Sequence, residues 1–132
     1  MTLRILTLIF NLLIIIGAGH GIGPLALLEF LSVRELLTRD FQFNISGRYD
    51  ERLLTVGLIS LLGQCVLIFA FFVTEKIKTS LTIAGCAILL IATYLLTQDA
   101  WDLSIDIISL VTALPFIGTA VTLLIKEISR SN

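Results

Sequence analysis

Long apolar stretches alternate with short polar ones along the chain, and four of the apolar stretches contain no charged residue. These stretches cover residues 5–28, 53–74, 79–98 and 107–125. Each is close to the roughly 20 residues with which a helix crosses a hydrocarbon core about 30 Å thick. Their apolar residues are continuous, whereas strands of a membrane barrel alternate over segments of about 10 residues. The pattern therefore predicts a bundle of helices that cross a membrane.

Gly23-Pro24 is the strongest interruption within the first stretch. Proline is favoured at the first position of a new helix, and the residue before it avoids the helical conformation. We therefore expect a kinked first span over 5–23, followed by an outer interfacial helix over 24–38. The remaining spans are expected over 53–74, 79–98 and 104–125. The predicted fold is an all-α integral membrane protein, a bundle of four transmembrane helices in one domain, 1–132.

The composition of the 132 residues agrees with a membrane domain. Hydrophobic residues make up 57% and charged residues 14%, and the mean hydropathy is +1.03. Soluble globular proteins are about 45–50% apolar and about 25% charged. We expect the partners to be membrane lipids and other membrane helices, in a homo-oligomer or a larger membrane complex. We expect no nucleic acid.

Basic residues predict the side of the membrane on which each connection lies, because cytoplasmic loops carry an excess of lysine and arginine. One side would carry five basic residues, Arg4, Lys76, Lys78, Lys126 and Arg130. The other would carry four arginines, diluted by acids over the long first loop: Arg34, Arg39, Arg48 and Arg52. We therefore predict a multi-pass protein with both termini in the cytoplasm, and we expect a bacterial inner membrane.

Small and polar residues within the predicted spans recur at helical spacing, as in Gly57, Ser60 and Gln64. Such residues usually face neighbouring helices, where small side chains permit close approach and polar groups hydrogen-bond across the interface. We expect helix–helix polar contacts from four residues: Asn11, Gln64, Thr93 and Thr112. The alternative is a polar pathway through the bundle. No acid or base lies near the middle of a predicted span, which counts against a buried carrier site that depends on charge.

Four ionisable residues gather at the outer edge of the predicted bundle: His20, Glu29, Asp99 and Asp102. His20 stands between glycines, so water or a ligand could reach its ring, and Glu29 falls among leucines just past the kink. A carboxyl group in apolar surroundings favours its neutral form unless it is paired. We therefore predict an outward-facing site that binds a ligand or a proton. The alternative is structural: Glu29 pairs with a loop arginine, and His20 bonds a carbonyl freed by the kink.

Recognised catalytic patterns are absent from the sequence, including the phosphate-binding loop and the Gly-x-Ser-x-Gly, His-Glu-x-x-His and Cys-x-x-Cys motifs. One histidine and two separated cysteines argue against a structural zinc site, which usually takes four ligands. We therefore expect no catalytic residue, no metal and no cofactor. Cys65 and Cys86 are expected at similar depth on adjacent antiparallel helices, without a disulfide bond.

Three classes of function agree with these patterns. The favoured class is a non-catalytic accessory or scaffold subunit that acts through helix–helix association, because the chain is small and carries no catalytic motif. The second class is a homo-oligomeric transporter or channel for a small solute or for protons, with an outward-facing polar site. The third is a small membrane enzyme that acts on a lipid or a quinone. The sequence alone leaves all three open.

Overall fold

The computed structural model describes residues 2–18, 21–38, 42–46, 49–98 and 104–131, and these form five helices and a two-stranded hairpin. In chain order the elements are α1 (Thr2–Leu12), β1 (Ile15–Ala18), β2 (Gly21–Pro24), α2 (Leu25–Thr38), α3 (Tyr49–Phe69), α4 (Glu75–Thr97) and α5 (Ser104–Ser131). Three residues of the predicted outer site lie outside the described residues: His20, Asp99 and Asp102.

Three of the helices are long and apolar enough to cross a membrane. Their apolar segments are Glu51–Phe69 in α3, Ile77–Thr97 in α4 and Ile107–Arg130 in α5. They overlap the predicted second, third and fourth spans, because continuous apolar runs of this length are a strong signal for a membrane helix. The described part of the chain thus has three candidate membrane spans, which indicates a membrane protein.

The first predicted span is not a continuous helix. α1 ends at Leu12 after eleven residues, and the chain continues as the antiparallel hairpin of β1 and β2. Ile15 pairs with Pro24, and the N–H of Leu25 donates to the carbonyl of Ile14 at 2.7 Å. Glycine in a helix costs roughly 1 kcal/mol and β-branched isoleucine favours strands. Consecutive isoleucines followed by glycines at alternate positions therefore break the helix well before the proline.

α1 carries its polar residues inward and its apolar residues outward. Arg4 is 5% exposed, and Thr7 and Asn11 are fully buried. Ile5 and Ile9, on the opposite face, are 40% and 44% exposed. A surface helix in water shows the reverse arrangement, with its apolar face toward the core. Since polar groups in lipid must find partners inside the protein, this arrangement fits a helix that faces lipid, although α1 is shorter than a full span.

α3 and α4 pack closely at two glycines, Gly63 and Gly85. A Cβ atom at Gly85 would lie 3.0 Å from the backbone nitrogen of Leu67, and one at Gly63 would lie 2.9 Å from a leucine side chain of α4. Small residues at such positions let membrane helices approach each other. Cys65 and Cys86 lie next to these contacts on the two helices, and both are free thiols. Their predicted similar depth agrees with this packing.

α2 begins one residue later than predicted and rests against α3 at Gly57. A Cβ atom at Gly57 would lie 3.1 Å from the carbonyl oxygen of Leu28 and would collide with the hydroxyl of Ser32. The absence of a side chain at this position therefore lets α2 lie directly on α3. This contact fixes the position of the neighbouring residues of α2 along the length of α3.

α1 and β1 together run antiparallel to α5. Arg4 Nη2 lies 2.7 Å from Glu127 Oε1 at one end, and the N–H of Ile15 donates to the hydroxyl of Thr112 at 3.0 Å further along. The beginning of α1 and the end of α5 therefore lie at the same end of the bundle, which we call the basic end. Four of the five basic residues predicted to share one side line a small cavity there: Arg4, Lys78, Lys126 and Arg130.

The hydrophobic core lies between the helices and the hairpin. Its most deeply buried large side chains, each no more than 1% exposed, include Ile14, Leu25, Leu67, Leu89 and Phe116. Two groups of buried polar side chains interrupt this core, one around Glu29 and one around Glu127. Buried polar groups are costly unless they are hydrogen-bonded, so both groups are candidate sites.

Candidate functional site

Four buried polar side chains from three helices meet in the interior of the protein. They are Asn11 in α1, Glu29 in α2, and Ser60 and Gln64 in α3. Glu29 is only 4% exposed, and none of the other three is more than 5% exposed. Residues four apart lie on the same face of a helix, so Ser60 and Gln64 form one polar edge of α3. We call these four residues the Glu29 cluster.

Hydrogen bonds link the Glu29 cluster into a closed ring of polar atoms. Ser60 Oγ lies 2.8 Å from Glu29 Oε1 and 3.0 Å from Asn11 Oδ1. Gln64 Nε2 lies 2.6 Å from the same Glu29 oxygen and 2.7 Å from the same Asn11 oxygen. Donors from α3 therefore alternate with acceptors from α1 and α2. The ring joins the two helices on either side of the hairpin to α3.

The hydrogens available to this ring depend on the protonation of Glu29. Ser60 Oγ supplies one hydrogen and Gln64 Nε2 supplies two, which makes three hydrogens for four contacts. A proton on Glu29 Oε1 supplies the fourth, because the carboxyl group then donates to Ser60 while Ser60 donates to Asn11. Burial without a counter-charge also disfavours the ionised form. The geometry thus accommodates a neutral Glu29 with every contact satisfied.

Glu29 lies deeper than its place in the sequence indicated. Its partner Ser60 is at the middle of the candidate span Glu51–Phe69. Glu29 therefore lies in the interior of the bundle, beside the middle of a candidate span, although it belongs to none of the predicted spans. The sequence analysis counted 5–23 as one span, whereas β1 and β2 form a hairpin that folds back on itself. The prediction that Glu29 contributes to an outward-facing site stays a prediction.

Glu29 has no cationic partner among the residues that the structure describes. Both of its hydrogen-bond donors, Ser60 and Gln64, are neutral. The structural alternative, a pair with a loop arginine, is therefore not formed in the described part of the chain. An ionised Glu29 would be an uncompensated charge in the interior, which buried carboxyl groups avoid by binding a proton or a cation.

Asn11 contributes an unused donor to the Glu29 cluster. Its Nδ2 atom is buried and has no hydrogen-bond partner in the described part of the chain. A buried donor without a partner costs about 1–3 kcal/mol. A water molecule or the oxygen of a ligand beside Asn11 would remove this cost. The cluster therefore combines a carboxyl group with a free donor in the same interior position.

The four residues predicted to form helix–helix polar contacts have different hydrogen-bond partners. Asn11 and Gln64 bond each other across the interface of α1 and α3. Thr112 of α5 accepts the backbone N–H of the hairpin. Thr93 instead donates to the carbonyl of Leu89 within α4 at 2.9 Å. A threonine in a helix can satisfy its hydroxyl on the preceding turn, so its helical spacing did not require an interhelical partner.

A second buried polar group, which the sequence analysis missed, lies at the basic end. The ion pair of Arg4 and Glu127 is almost fully buried, with side chains 5% and 4% exposed. The hydroxyl of Thr79 donates to the other carboxylate oxygen of Glu127 at 3.1 Å. Glu127 follows the last predicted span, so nothing in the apolar pattern marked it as interior. The spacing of Arg4, Thr7 and Asn11, which puts them on one face of a helix, was the sequence pattern that could have indicated a buried Arg4 in need of an acidic partner.

No group of three or more potential metal ligands occurs among the described residues. The Glu29 cluster itself offers one carboxylate, and its remaining groups are amides and a hydroxyl. These groups suit the exchange of a proton or the binding of a small polar ligand.

Comparison of the chain with protein-family models, with curated proteins and with solved structures finds no match.

Proposed function

We propose that this protein is a small multi-pass membrane protein that transfers protons, or a small solute coupled to protons, through the Glu29 cluster. The observation that carries the proposal is a carboxyl group 4% exposed, bonded only by neutral donors, beside the middle of a candidate span. Ionisable residues within a membrane are costly and usually mark proton relays or substrate pathways.

The proposed architecture has four crossings, of which the first is discontinuous. The start of α1 shares a cavity with Ile68 near the end of α3, and the end of α1 contacts Ser60 in the middle of α3. α2 contacts the same Ser60 and then lies against Gly57, nearer the beginning of α3. The two short helices thus follow each other along α3, with the hairpin between them. Discontinuous membrane helices often surround transport sites, because a break frees polar groups at mid-depth.

A polar face leads from the basic end to the Glu29 cluster. Arg4, Thr7 and Asn11 are all buried on one side of α1. Seven residues at 1.5 Å each place Asn11 about 10 Å further along the helix than Arg4. This face places buried polar side chains on the side of Glu29 that is toward the basic end. It supports a pathway that begins at the basic end.

Loss of the proton would change the contacts of the ring. An ionised Glu29 only accepts hydrogen bonds, and the Ser60 hydroxyl has a single hydrogen to donate. Ser60 can therefore donate either to Asn11 or to the Glu29 carboxylate, but not to both. One of the contacts to Asn11 or Glu29 is then lost. Since these residues come from α1, α2 and α3, proton release would loosen the joint between three helices. Such a joint can couple protonation to a change of access.

The orientation proposed for this architecture in the membrane follows from the distribution of its basic residues. Four basic residues lie at the end that also carries the beginning of α1 and the end of α5. The excess of basic residues on cytoplasmic loops favours the cytoplasm for this end. We propose a bacterial inner membrane, in which a proton gradient is available to such a site.

Dye-loaded liposomes that contain the full chain test the transfer of protons. With a potential imposed across the membrane, we expect proton flux that Glu29→Gln lowers by about tenfold or more. Glu35→Gln is the matched control, because Glu35 lies on the same helix and is only half-buried. It should retain the flux. Equal flux in Glu29→Gln and the natural protein would contradict the proposal.

Labelling with a hydrophobic carbodiimide tests the protonation of Glu29 without reference to transport. Carbodiimides react with protonated carboxyl groups in apolar surroundings, and mass spectrometry locates the adduct. We expect modification of Glu29 that decreases at high pH, while Glu35 stays unmodified. A Glu29 that is unreactive at every pH at which the protein is folded would show a permanently ionised carboxylate.

A non-catalytic accessory subunit is the second candidate, favoured by the exposed strand β2. Gly21, Ile22 and Pro24 are exposed, and Ile22 is 70% exposed. An uncovered strand edge offers its backbone groups to another chain, and lipid provides no alternative partner. A stable assembly with a second chain or a second copy, together with the absence of proton flux, would support this function instead.

A further inference from the structure

A larger cavity opens at the basic end, next to the small cavity described above and separate from the Glu29 cluster. Its volume is about 520 Å³, and six residues line it: Arg4, Ile5, Ile68, Phe71, Phe72 and Lys78. Ile68 lies near the end of the candidate span in α3, and Phe71 and Phe72 follow before α4 begins at Glu75. The cavity therefore lies where a long apolar segment ends and charged residues begin at Glu75.

The apolar wall of this cavity is open to the surroundings. Phe72 is 80% exposed, Ile68 is 45% exposed and Ile5 is 40% exposed. Exposed side chains of this kind face hydrocarbon chains at no cost when they lie at membrane depth. The wall continues from the cavity onto the outer surface, so a long apolar chain could follow it.

Two cationic side chains form the polar wall, and each keeps an unused hydrogen. Arg4 is 5% exposed and donates through Nη2 to Glu127, while its Nε atom is buried without a partner in the described part of the chain. Lys78 Nζ makes one contact, to Glu75 at 2.8 Å, and an ammonium group has three hydrogens. An anion in the cavity would therefore meet unused hydrogens on Lys78 Nζ, and the positive charge of Arg4 would also attract it.

The surroundings of the cavity carry more basic than acidic side chains. The adjoining small cavity is lined by Lys126 and Arg130 in addition to Arg4 and Lys78, against the acids Glu75 and Glu127. The hydrogen bond and the charge of Lys78 lower the pKa of the exposed Glu75 carboxyl, with lesser contributions from the charges of Arg130 and Arg4. An additional negative charge is thus favoured at this end.

We infer that the cavity binds an anionic phospholipid. Its phosphate would accept hydrogen bonds from Lys78 Nζ close to the charge of Arg4, and an acyl chain would lie along the exposed wall of Ile5, Ile68 and Phe72. Basic pockets between membrane helices are suited to anionic headgroups. The site shares no residue with the Glu29 cluster itself, and it meets the polar face of α1 only at Arg4.

The inference is tested on the purified full chain in detergent with three probes: phosphatidylglycerol, phosphatidylcholine and glycerol 3-phosphate. Native mass spectrometry counts bound lipid, and thermal unfolding measures stabilisation. We expect phosphatidylglycerol alone to remain bound and to raise Tm. Lys78→Gln should weaken its binding about fivefold, since one basic group near the surface contributes roughly that factor. Ile68→Asp should also weaken binding, because it places a carboxylate on the exposed wall that the acyl chain follows.

Lys126→Gln is the matched control, because Lys126 is exposed and lines only the adjoining cavity. It should leave binding within about twofold, as expected for a screened surface charge. Equal binding of phosphatidylcholine, or an equal loss in Lys126→Gln and Lys78→Gln, would overturn the inference. Glycerol 3-phosphate that binds as well as the lipid would show that the ligand is a soluble phosphate ester. Each variant is compared with the natural protein by its Tm without lipid.

Discussion

Glu29 and Glu127 are two buried carboxyl groups whose partners differ in kind. Glu127 faces a guanidinium group at 2.7 Å, so its charge is compensated in the interior. Glu29 faces only a hydroxyl and an amide among the described residues, so under the proposed function its own proton avoids an uncompensated charge. The same residue type is therefore assigned a structural role in one place and a proton-binding role in the other. The partners decide this difference.

Removal of one partner of the Arg4–Glu127 pair should be costly. Glu127→Ala leaves the guanidinium group of Arg4 buried without a counter-charge, and we expect a loss of about 3–5 kcal/mol in the free energy of unfolding. The measurement is chemical denaturation of the protein in detergent micelles. Replacement of both partners, in Arg4→Met with Glu127→Leu, should stay within about 1 kcal/mol of the natural protein.

The double replacement is the internal control for this prediction. It removes the ion pair without leaving a buried charge, so its stability separates the cost of the lone arginine from the contribution of the pair. A double variant as unstable as Glu127→Ala would show that the pair itself stabilises the basic end.

The hairpin is the element that departs most from the predicted fold. Its glycines and β-branched residues do not favour a helix, yet extended backbone within a membrane needs partners for its polar groups. β1 obtains them from β2 on one edge and from Thr112 of α5 on the other, where the N–H of Ile15 donates to the hydroxyl. One threonine therefore anchors the break to the bundle.

Replacement of Thr112 by valine should destabilise the protein, because the N–H of Ile15 then loses its acceptor in surroundings that offer little water. We expect a loss of about 1–3 kcal/mol, the usual cost of an unsatisfied buried donor. Unfolding in detergent measures the change.

Thr122→Val is the matched control on the same helix. The hydroxyl of Thr122 is exposed and donates only to the carbonyl of Gly118 within α5. Its removal should change stability by less than about 0.5 kcal/mol, as for most surface positions. Equal losses in both variants would mean that the hairpin does not depend on its bond to Thr112.

At the scale of the whole molecule, the structure fixes which ends of the helices share a side. Arg4 and Glu127 bond directly, so the start of α1 and the end of α5 must lie together. Ser46 lies just before α3, which begins at Tyr49. The last turn of α3 reaches the cavity that Arg4 lines, so the length of α3 lies between Ser46 and the basic end. If α3 crosses a membrane, this arrangement predicts that Ser46 and the basic end lie on opposite faces.

Accessible cysteines introduced one at a time into a cysteine-free full chain test this arrangement. Thr2→Cys and Ser129→Cys should react with an impermeant maleimide from the same face of the membrane, and Ser46→Cys from the opposite face. All three positions are exposed. In sealed vesicles of known orientation, labelling of Ser46→Cys and Ser129→Cys from one face would contradict a crossing by α3.

The sequence by itself determined the class of the protein and the three long helices, because apolar runs of about 20 residues have few other stable structures. It also grouped Arg4, Lys78, Lys126 and Arg130, which the structure brings to one end. Asn11 and Gln64 were predicted as interhelical contacts from their burial within apolar runs, and they bond each other. These features depend on local patterns of polarity.

Only the tertiary structure decided how the first 38 residues fold and what surrounds Glu29. The apolar run over 5–28 is equally compatible with a kinked helix and with a helix broken by a hairpin, because hydropathy does not distinguish the two. The choice depends on contacts distant in sequence, such as Ile15 with Thr112 and Gly57 with Leu28. The contact of Gly57 with Leu28 sets the position of α2 along α3, and it places Glu29 against Ser60 in the interior of the bundle.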